Sequence, residues 1–449
     1  MMLKFDCAVC ADRYADSNLT LSLLRSFIRS IVLWAVILYS NTLLAGESDN
    51  SQLNKGQCYD NPPAESLKRG ASYHFCGWDM NKGVADFDVM APRLAWYYNW
   101  SSRPMVCPDD DGIGNHEALS NGDVEFVPMV WGLVNGGEDC ESGGACFRVD
   151  ARDGGASCKQ VCQLSDDRTN PSGACWQCYH QAISRASFLQ DVPSGARYLL
   201  GYNEPNFKEQ AGLTPDEAAR GWRHVQWVAD RGKLALVGPA TNFCDPTPGA
   251  HHPGACIEAV DGTPMLGLSW LERFYDACTE TGAAGFDCRI DHQAVHAYSR
   301  GNVLWMIRLM KIKAGMVPPT EKHCTNGKRD ENEFGIDCGG VACAACSETA
   351  RKHFAKPVWL TEFAMPASDS GGPDRSKTVS RKQLVKETVS FMRDTVGGLE
   401  NDPYVYRYAW FMPKTNGASL DHVDLLVEDK AGVMSELGRI YFGHEACTP

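Results

Sequence analysis

The chain lacks an excess of basic charge: 43 Lys and Arg stand against 56 Asp and Glu, for a net charge of -13. Phosphate backbones are bound by clustered basic surfaces, so this balance argues against nucleic acid as a partner. A long apolar run is also missing. Ile31–Tyr39 falls well short of the ~20 residues that span a bilayer comfortably. Two stretches, 135–180 and 320–348, have too few apolar residues to build cores of their own. What the chain has in quantity is cysteine, 20 in 449 residues, with an ordinary apolar content of 44%. In an oxidising compartment such usage reads as disulfides; in a reducing one it reads as metal or redox chemistry.

The N-terminus favours the first reading. Arg25 and Arg29 precede the apolar run, and Leu43-Leu44-Ala45-Gly46 follows with small residues where cleavage is expected. That order is the signature of a secretory leader, residues 1–45, with a signal anchor as the alternative. Removing it takes Cys7 and Cys10 and leaves eighteen cysteines, enough for nine disulfides. The expected location is therefore extracellular or the cell wall. No stable membrane insertion is expected after cleavage, and the mature protein is expected to be a monomer.

Eight short apolar segments read as buried parallel strands: 68–73, 93–98, 125–131, 197–202, 234–238, 293–298, 357–361 and 405–411. Helical stripes lie between some of them. Thr214-Pro215-Asp216-Glu217 is a capping box with proline at the first helical position, followed by Trp222, Val225 and Val228. Trp270, Leu271, Phe274, Tyr275 and Cys278 form a second stripe, and Val385, Val389, Met392 and Val396 a third. Strand and helix alternate, so the fold class is α/β, and eight strands favour a (β/α)8 barrel. The catalytic domain is placed at 46–449. The two cysteine-rich stretches are read as insertions in strand-to-helix loops, where they would wall the substrate cleft.

Two carboxylates stand where buried strands end. Glu204 follows Tyr198–Tyr202 within Asn203-Glu204-Pro205-Asn206; Glu362 follows Pro357–Thr361 and precedes Phe363. Strand C-termini are where barrels carry their catalytic groups. Glycoside hydrolysis needs two carboxyl groups, one to protonate the leaving oxygen and one to attack or to activate water. Trp96, Tyr97, Trp100, Trp131 and Trp410 lie at strand ends, and aromatic faces around two carboxylates suit a glycan cleft, though each alone is as compatible with core packing. Cys175-Trp176-Gln177-Cys178 and Cys343-Ala344-Ala345-Cys346 are read as disulfide cysteines rather than zinc ligands. Asp330, Glu333 and Asp337 have the oxygens for Ca²⁺ but lie outside any full ligand loop, so a solvated, disulfide-pinned loop is expected. Neither a metal nor a cofactor is expected in catalysis.

Asn203-Glu204-Pro205 and Thr361-Glu362-Phe363 resemble the strand ends of the clan A glycoside hydrolases. With Lys68-Arg69-Gly70, Trp96–Trp100, Phe126–Trp131, Val237–Ala240, Val295–Tyr298 and Tyr408–Phe411 in order, the chain resembles glycoside hydrolase family 128, secreted β-1,3-glucanases. The resemblance covers 66–443 apart from the cysteine-rich stretches. It implies a retaining mechanism with Glu204 as acid/base and Glu362 as nucleophile. It also implies that Asn203 contacts the sugar 2-hydroxyl, that Tyr298 lies near the nucleophile, and that His296 lies beside both. Trp131, Trp410, Tyr97 and Asn99 complete the expected substrate-binding set. Asn99-Trp100-Ser101 is a glycosylation sequon that its place in the cleft should keep unmodified. The expected partner is a β-glucan. A non-catalytic glucan-binding barrel, or another clan A specificity such as β-1,4-glucanase or mannanase, remains the alternative. His74 and Cys76, just past the first strand, depart from the family pattern.

Overall fold

The computed structural model describes residues 65–72, 80–104, 124–133, 146–148, 182–244, 256–259, 262–300, 303–330, 333–367, 378–415, 421–427 and 430–443. The expected leader, His74, Cys76 and the first cysteine-rich stretch apart from Cys146–Arg148 lie outside them.

All eight expected strands are present: β1 (Arg69–Ser72), β2 (Trp96–Tyr98), β3 (Glu125–Phe126), β4 (Tyr198–Leu200), β5 (Ala235–Thr241), β6 (His292–Tyr298), β7 (Val358–Ala364) and β8 (Val405–Trp410). They form one curled parallel sheet in the order β3-β2-β1-β8-β7-β6-β5-β4. β3 and β4 end that order, and the segment just after β3 meets β4 through an isolated parallel bridge, Met129 with Leu200. Val130 N donates to Leu200 O and Leu200 N to Pro128 O, both at 2.9 Å. With helices packed outside, this is an α/β-barrel arrangement.

Eight α-helices are described: α1 (Met80–Met90), α2 (Arg185–Asp191), α3 (Pro215–Gly232), α4 (Gly267–Ala277), α5 (Leu304–Lys313), α6 (Glu348–Phe354), α7 (Arg381–Asn401) and α8 (Glu436–Tyr441). The capping box forms at α3: Thr214 Oγ1 accepts from Glu217 N, and Glu217 Oε2 accepts from Thr214 N. Such a cap stabilises by ~1 kcal/mol. The three expected stripes face the sheet; all their residues are buried except Val385, which is half-buried.

The apolar residues fall into two layers. Trp96, Tyr98, Trp100, Met129, Leu200, Val237, Ala294, Trp359 and Ala409 pack inside the curled sheet. Tyr97, Tyr202, Leu236, Val295, Leu360 and Trp410 pack outside it against helix residues such as Trp222, Phe274 and Met392. The alternation is the strand period of two. Gly70 lies where the indole of Trp96 crosses the interior; a Cβ there would meet the ring at 2.3 Å, so only glycine fits. At the end where the strands begin, Arg407 lies 4.7 Å over the rings of both Trp359 and Tyr198 and pairs with Glu125 at 2.7 Å.

The second cysteine-rich stretch corrects the expectation made for it. It follows α5 and precedes α6 and β7, so it occupies a helix-to-strand connection, not a strand-to-helix loop. Such connections lie at the end of the barrel opposite the strand C-termini. Its cysteines pair Cys324–Cys343 and Cys338–Cys346, so Cys343 and Cys346 belong to different bridges. The acidic residues of this segment serve its backbone. Asp337 accepts from the amides of Asn326 and Gly327, and Glu333 from those of Asp330 and Asp337. The segment is fastened to the barrel by a fully buried pair: Glu272 on α4 accepts from Lys313 Nζ at 2.5 Å and from Cys346 N at 2.7 Å. Two further disulfides join Cys244 to Cys256 and Cys278 to Cys288.

Candidate active site

Glu204 and Glu362 come from the C-terminal ends of β4 and β7 and meet at the same end of the sheet. Both are buried, 8% and 4% exposed. β7 carries a register shift between Leu360 and Glu362. Glu204 has φ 41°, a left-handed conformation that costs of order 1 kcal/mol outside glycine and persists only where its surroundings impose it. Its amide donates to Ala240 O at 2.8 Å, fixing the turn against β5.

His296 on β6 stands between the two. Its Nδ1 is 2.8 Å from Glu204 Oε1 and 3.4 Å from Glu362 Oε2. Burial works to lower its pKa, but Glu362 and Glu204 outweigh that and raise it. The imidazole is thus held toward its protonated form between two acceptors. One ligand atom from each of the three residues can be chosen so that all lie within 4.8 Å of one another.

Glu362 is the better solvated of the two. Trp100 Nε1 and Tyr98 Oη donate to Oε1 at 2.8 and 2.9 Å, and Tyr298 Oη donates to Oε2 at 2.5 Å. Burial raises its pKa; the His296 charge and the Tyr298 and Trp100 bonds oppose this, and the Glu204 charge adds to it. Glu204 accepts from Asn242 Nδ2 at 3.0 Å as well as facing His296. Asn242 is held in turn: its Oδ1 accepts from Phe243 N, and buried Asn206 bonds its backbone at both N and O.

Three carboxylate and imidazole groups together also have the ligand types of a cation site. Their neighbours suit anions instead. An indole N–H can only donate, and it points at Glu362 Oε1, while an amide N–H points at Glu204 Oε1. A second candidate group, His323, Cys324, Glu333 and Cys343, has its two sulfurs in a disulfide.

The expected substrate-binding residues divide. Asn203 is buried beside Glu204, gives its Nδ2 to Gln210 Oε1 at 3.2 Å, and leaves its Oδ1 without a partner among the described residues. Tyr298 Oη donates to Glu362 Oε2, which places the phenol beside that carboxylate. Trp131 is half-buried, packed at the junction of the two apolar layers. Two aromatic expectations are corrected. Tyr97 points out of the barrel, against Phe87 and Phe126. Trp410 does too, packing on Phe363 and giving its Nε1 to Val423 O at 2.8 Å. Strand alternation puts Tyr98 and Phe411 on the inner face in their place. Asn99 is also corrected: its side chain accepts from Ser101 N and donates to Arg103 O, bracing its own loop.

Tyr98, Asn206 and Asn242 were not foreseen. The fifth strand was expected to stop at Gly238, before Pro239, but β5 runs on to Thr241 through a register shift at that proline. Extending the alternation from Val237 and Ala240 would have brought Asn242 to the inner face.

Residues 172–319 and 344–441 match the family described as glycosyl hydrolase catalytic core. Alkali-sensitive linkage protein 1 of Schizosaccharomyces pombe is 24% identical over 266 residues, 58% of this chain and 35% of that protein. The chain thus spans about a third of that relative's length. An endo-β-1,3-glucanase of family 128, subgroup II, from Sorangium cellulosum is 27% identical, covering 85% of this chain and 100% of its own, with a TM-score of 0.47. Its counterpart from Pseudomonas viridiflava is 24% identical over 84% and 98%, also at 0.47.

Proposed function

The chain belongs to the glycosyl hydrolase catalytic core family, and on that premise we propose that it is a retaining endo-β-1,3-glucanase in which Glu362 is the nucleophile and Glu204 the acid/base. Membership makes it a glycoside hydrolase; linkage, stereochemistry and residue roles are the proposal.

The observation that carries it is the carboxylate pair. One oxygen of Glu204 and one of Glu362 lie within 4.8 Å of each other beside His296, a nearest-atom approach that supports a closely spaced pair. Retaining enzymes keep the two groups about 5–5.5 Å apart, inverting ones about 6.5–9.5 Å. Roles follow from the partners. Glu362, with three donors on its two oxygens, is held as the anion that attacks the anomeric carbon. Glu204 gives its proton to the departing glycosidic oxygen. A water then gives a proton back to Glu204 as its oxygen attacks the anomeric carbon and releases Glu362. Asn203 Oδ1 is free to accept from a sugar 2-hydroxyl, a bond that strengthens as positive charge develops on the ring. The β-1,3 linkage rests on the ordered motifs that resemble family 128.

Secretion is part of the proposal. Four disulfides occur among the described residues, a density suited to an oxidising compartment. No helix among those residues is long and apolar enough to cross a membrane. A closed (β/α)8 topology is part of the proposal, supported by the hydrogen bonds between the segment just after β3 and β4.

Product release from laminarin tests the reading, beside Glu204→Gln and Glu362→Gln. Activity that falls by roughly 10²–10⁴-fold or more in each variant is expected. Cleavage of a different β-glucan alone would overturn the linkage. Binding without turnover, equal in both variants, would overturn the enzyme.

A further inference from the structure

Among the described residues, Glu362 is held by hydrogen-bond donors with no Arg or Lys beside it. The titratable groups that face it are Glu204 from the end of β4, His296 and Tyr298 from β6, and Tyr98 from β2. β8 places Ala409 and Phe411 on that side, neither of which ionises. A buried carboxylate in such a place needs donors. Tyr98 has one proton to give and two acceptors in reach, Glu362 Oε1 at 2.9 Å and Thr361 O at 3.1 Å. The indole of Trp100 can only donate, and it lies 2.8 Å from Glu362 Oε1. With the indole and the phenol both donating, the two lone pairs of Oε1 are taken, so a proton on this oxygen has to displace one of the two donors.

The chain maintains this contact in a strained backbone. Trp100 has φ 60°, the left-handed region in which a bulky residue is an outlier. Sparsely populated conformations persist where the surroundings over-determine them, and they cluster at functional sites. Here the surroundings are specific. Asn99 folds its amide over the turn, accepting from Ser101 N at 3.2 Å and donating to Arg103 O at 3.1 Å. Met129 N binds Ser101 O at 2.9 Å, and Ser102 Oγ binds Asp191 Oδ2 at 3.0 Å. Phe411 stands edge-on to both Trp100 and Tyr298, at 5.9 and 5.4 Å between centroids, and so backs two of the three donors.

We infer that Trp100 is a positioning residue: its indole N–H, with the Tyr98 hydroxyl, fixes Glu362 Oε1 as an anionic acceptor and leaves the carboxylate oriented for attack. The Asn99–Arg103 turn exists to hold that indole in place. This rests on the reading of Glu362 as nucleophile, but its test does not need turnover.

The test is direct titration of Glu362 by carbon NMR in protein labelled at glutamate side-chain carboxyls, with Glu362→Gln to assign the resonance. Trp100→Phe keeps a ring and removes the donor; the midpoint of Glu362 is expected to rise by about one pH unit. Tyr98→Phe, a smaller change to the packing, is expected to raise it by less, because the phenol has a second acceptor. In kinetics on an aryl β-laminaribioside, normalised to active sites, Trp100→Phe should lower kcat on the order of 10-fold, leave KM near the parent value, and move the acid limb of kcat/KM upward. An unmoved midpoint in both variants would overturn the inference, since a ring that only packs lowers the folded fraction without moving a titration. A parent that is inactive, with the Glu362 midpoint still raised in Trp100→Phe, would keep the inference and overturn the proposed activity alone.

Discussion

Asn242 gives its side-chain amide to Glu204 Oε1 across 3.0 Å while its own oxygen accepts from Phe243 N at 2.7 Å. The backbone contact fixes which end of the amide faces Glu204. Asn206, two residues after Glu204, binds the Asn242 backbone at 2.9 and 3.2 Å, so the strand end that carries the carboxylate also aims its donor.

Asn242→Ala should therefore lower kcat on β-glucan by on the order of 10-fold, the worth of one hydrogen bond to a charged group, with KM little changed. Steady-state kinetics check this. An unchanged kcat would mean that Glu204 is oriented by His296 alone.

The pair His296 and Glu362 makes stability fall as pH rises. The histidine is raised above its ordinary 6.5, so its contribution is present below that value and lost as pH climbs through its folded value. The carboxyl is raised above 4.5, so below 4.5 it costs nothing and above that its ionisation weighs against the fold. In the double variant Glu362→Gln/His296→Gln, thermal melts should gain on the parent as pH rises from below 4.5 to alkaline values, by roughly a few degrees. A constant difference across that range would contradict the assignment.

Trp410 and Phe411 should behave oppositely. Trp410 is wholly buried outside the barrel, so Trp410→Ala should cost ~3–5 kcal/mol in denaturant melts. Phe411 is only half-buried on the inner face, so Phe411→Ala should cost much less stability yet lower activity by releasing Trp100 and Tyr298. Loss of activity in proportion to loss of fold in both would refute the distinction.

Glu272 holds the second cysteine-rich segment. Truncating one partner of a buried ion pair leaves the other charge unpaired, typically at ~3–5 kcal/mol. Glu272→Ala should destabilise by that order and open residues 320–347 to limited proteolysis before the rest of the chain. Replacing both Glu272 and Lys313 by apolar residues should recover much of the loss.

Much of the architecture was legible in the chain itself. Strands buried on both faces are short continuous apolar runs, and all eight were found in order because hydrophobic periodicity is local. Glu204, Glu362, Asn203, His296 and Tyr298, which the structure gathers at one end of the sheet, could be picked out because a strand end shows as the place where an apolar run stops. Pairs such as Thr214 and Glu217 are three residues apart, so their chemistry is complete within one turn of helix.

What the sequence determined, then, was everything set by neighbours along the chain: the element order, the caps, and which positions end a strand. Tertiary structure decided which face each residue presents and what it meets there. Tyr97 and Trp410 turned outward and Tyr98 and Phe411 inward because a strand has a period of two, and its phase is fixed only when the sheet curls. Trp100 and Glu362 lie 262 residues apart, and so does nothing in their spacing suggest a 2.8 Å bond. Asn242 reached Glu204 because β5 continues past Pro239 through a register shift, and the second cysteine-rich segment took its place from a buried charge on α4. These contacts join groups that only the curled sheet and its helices bring together.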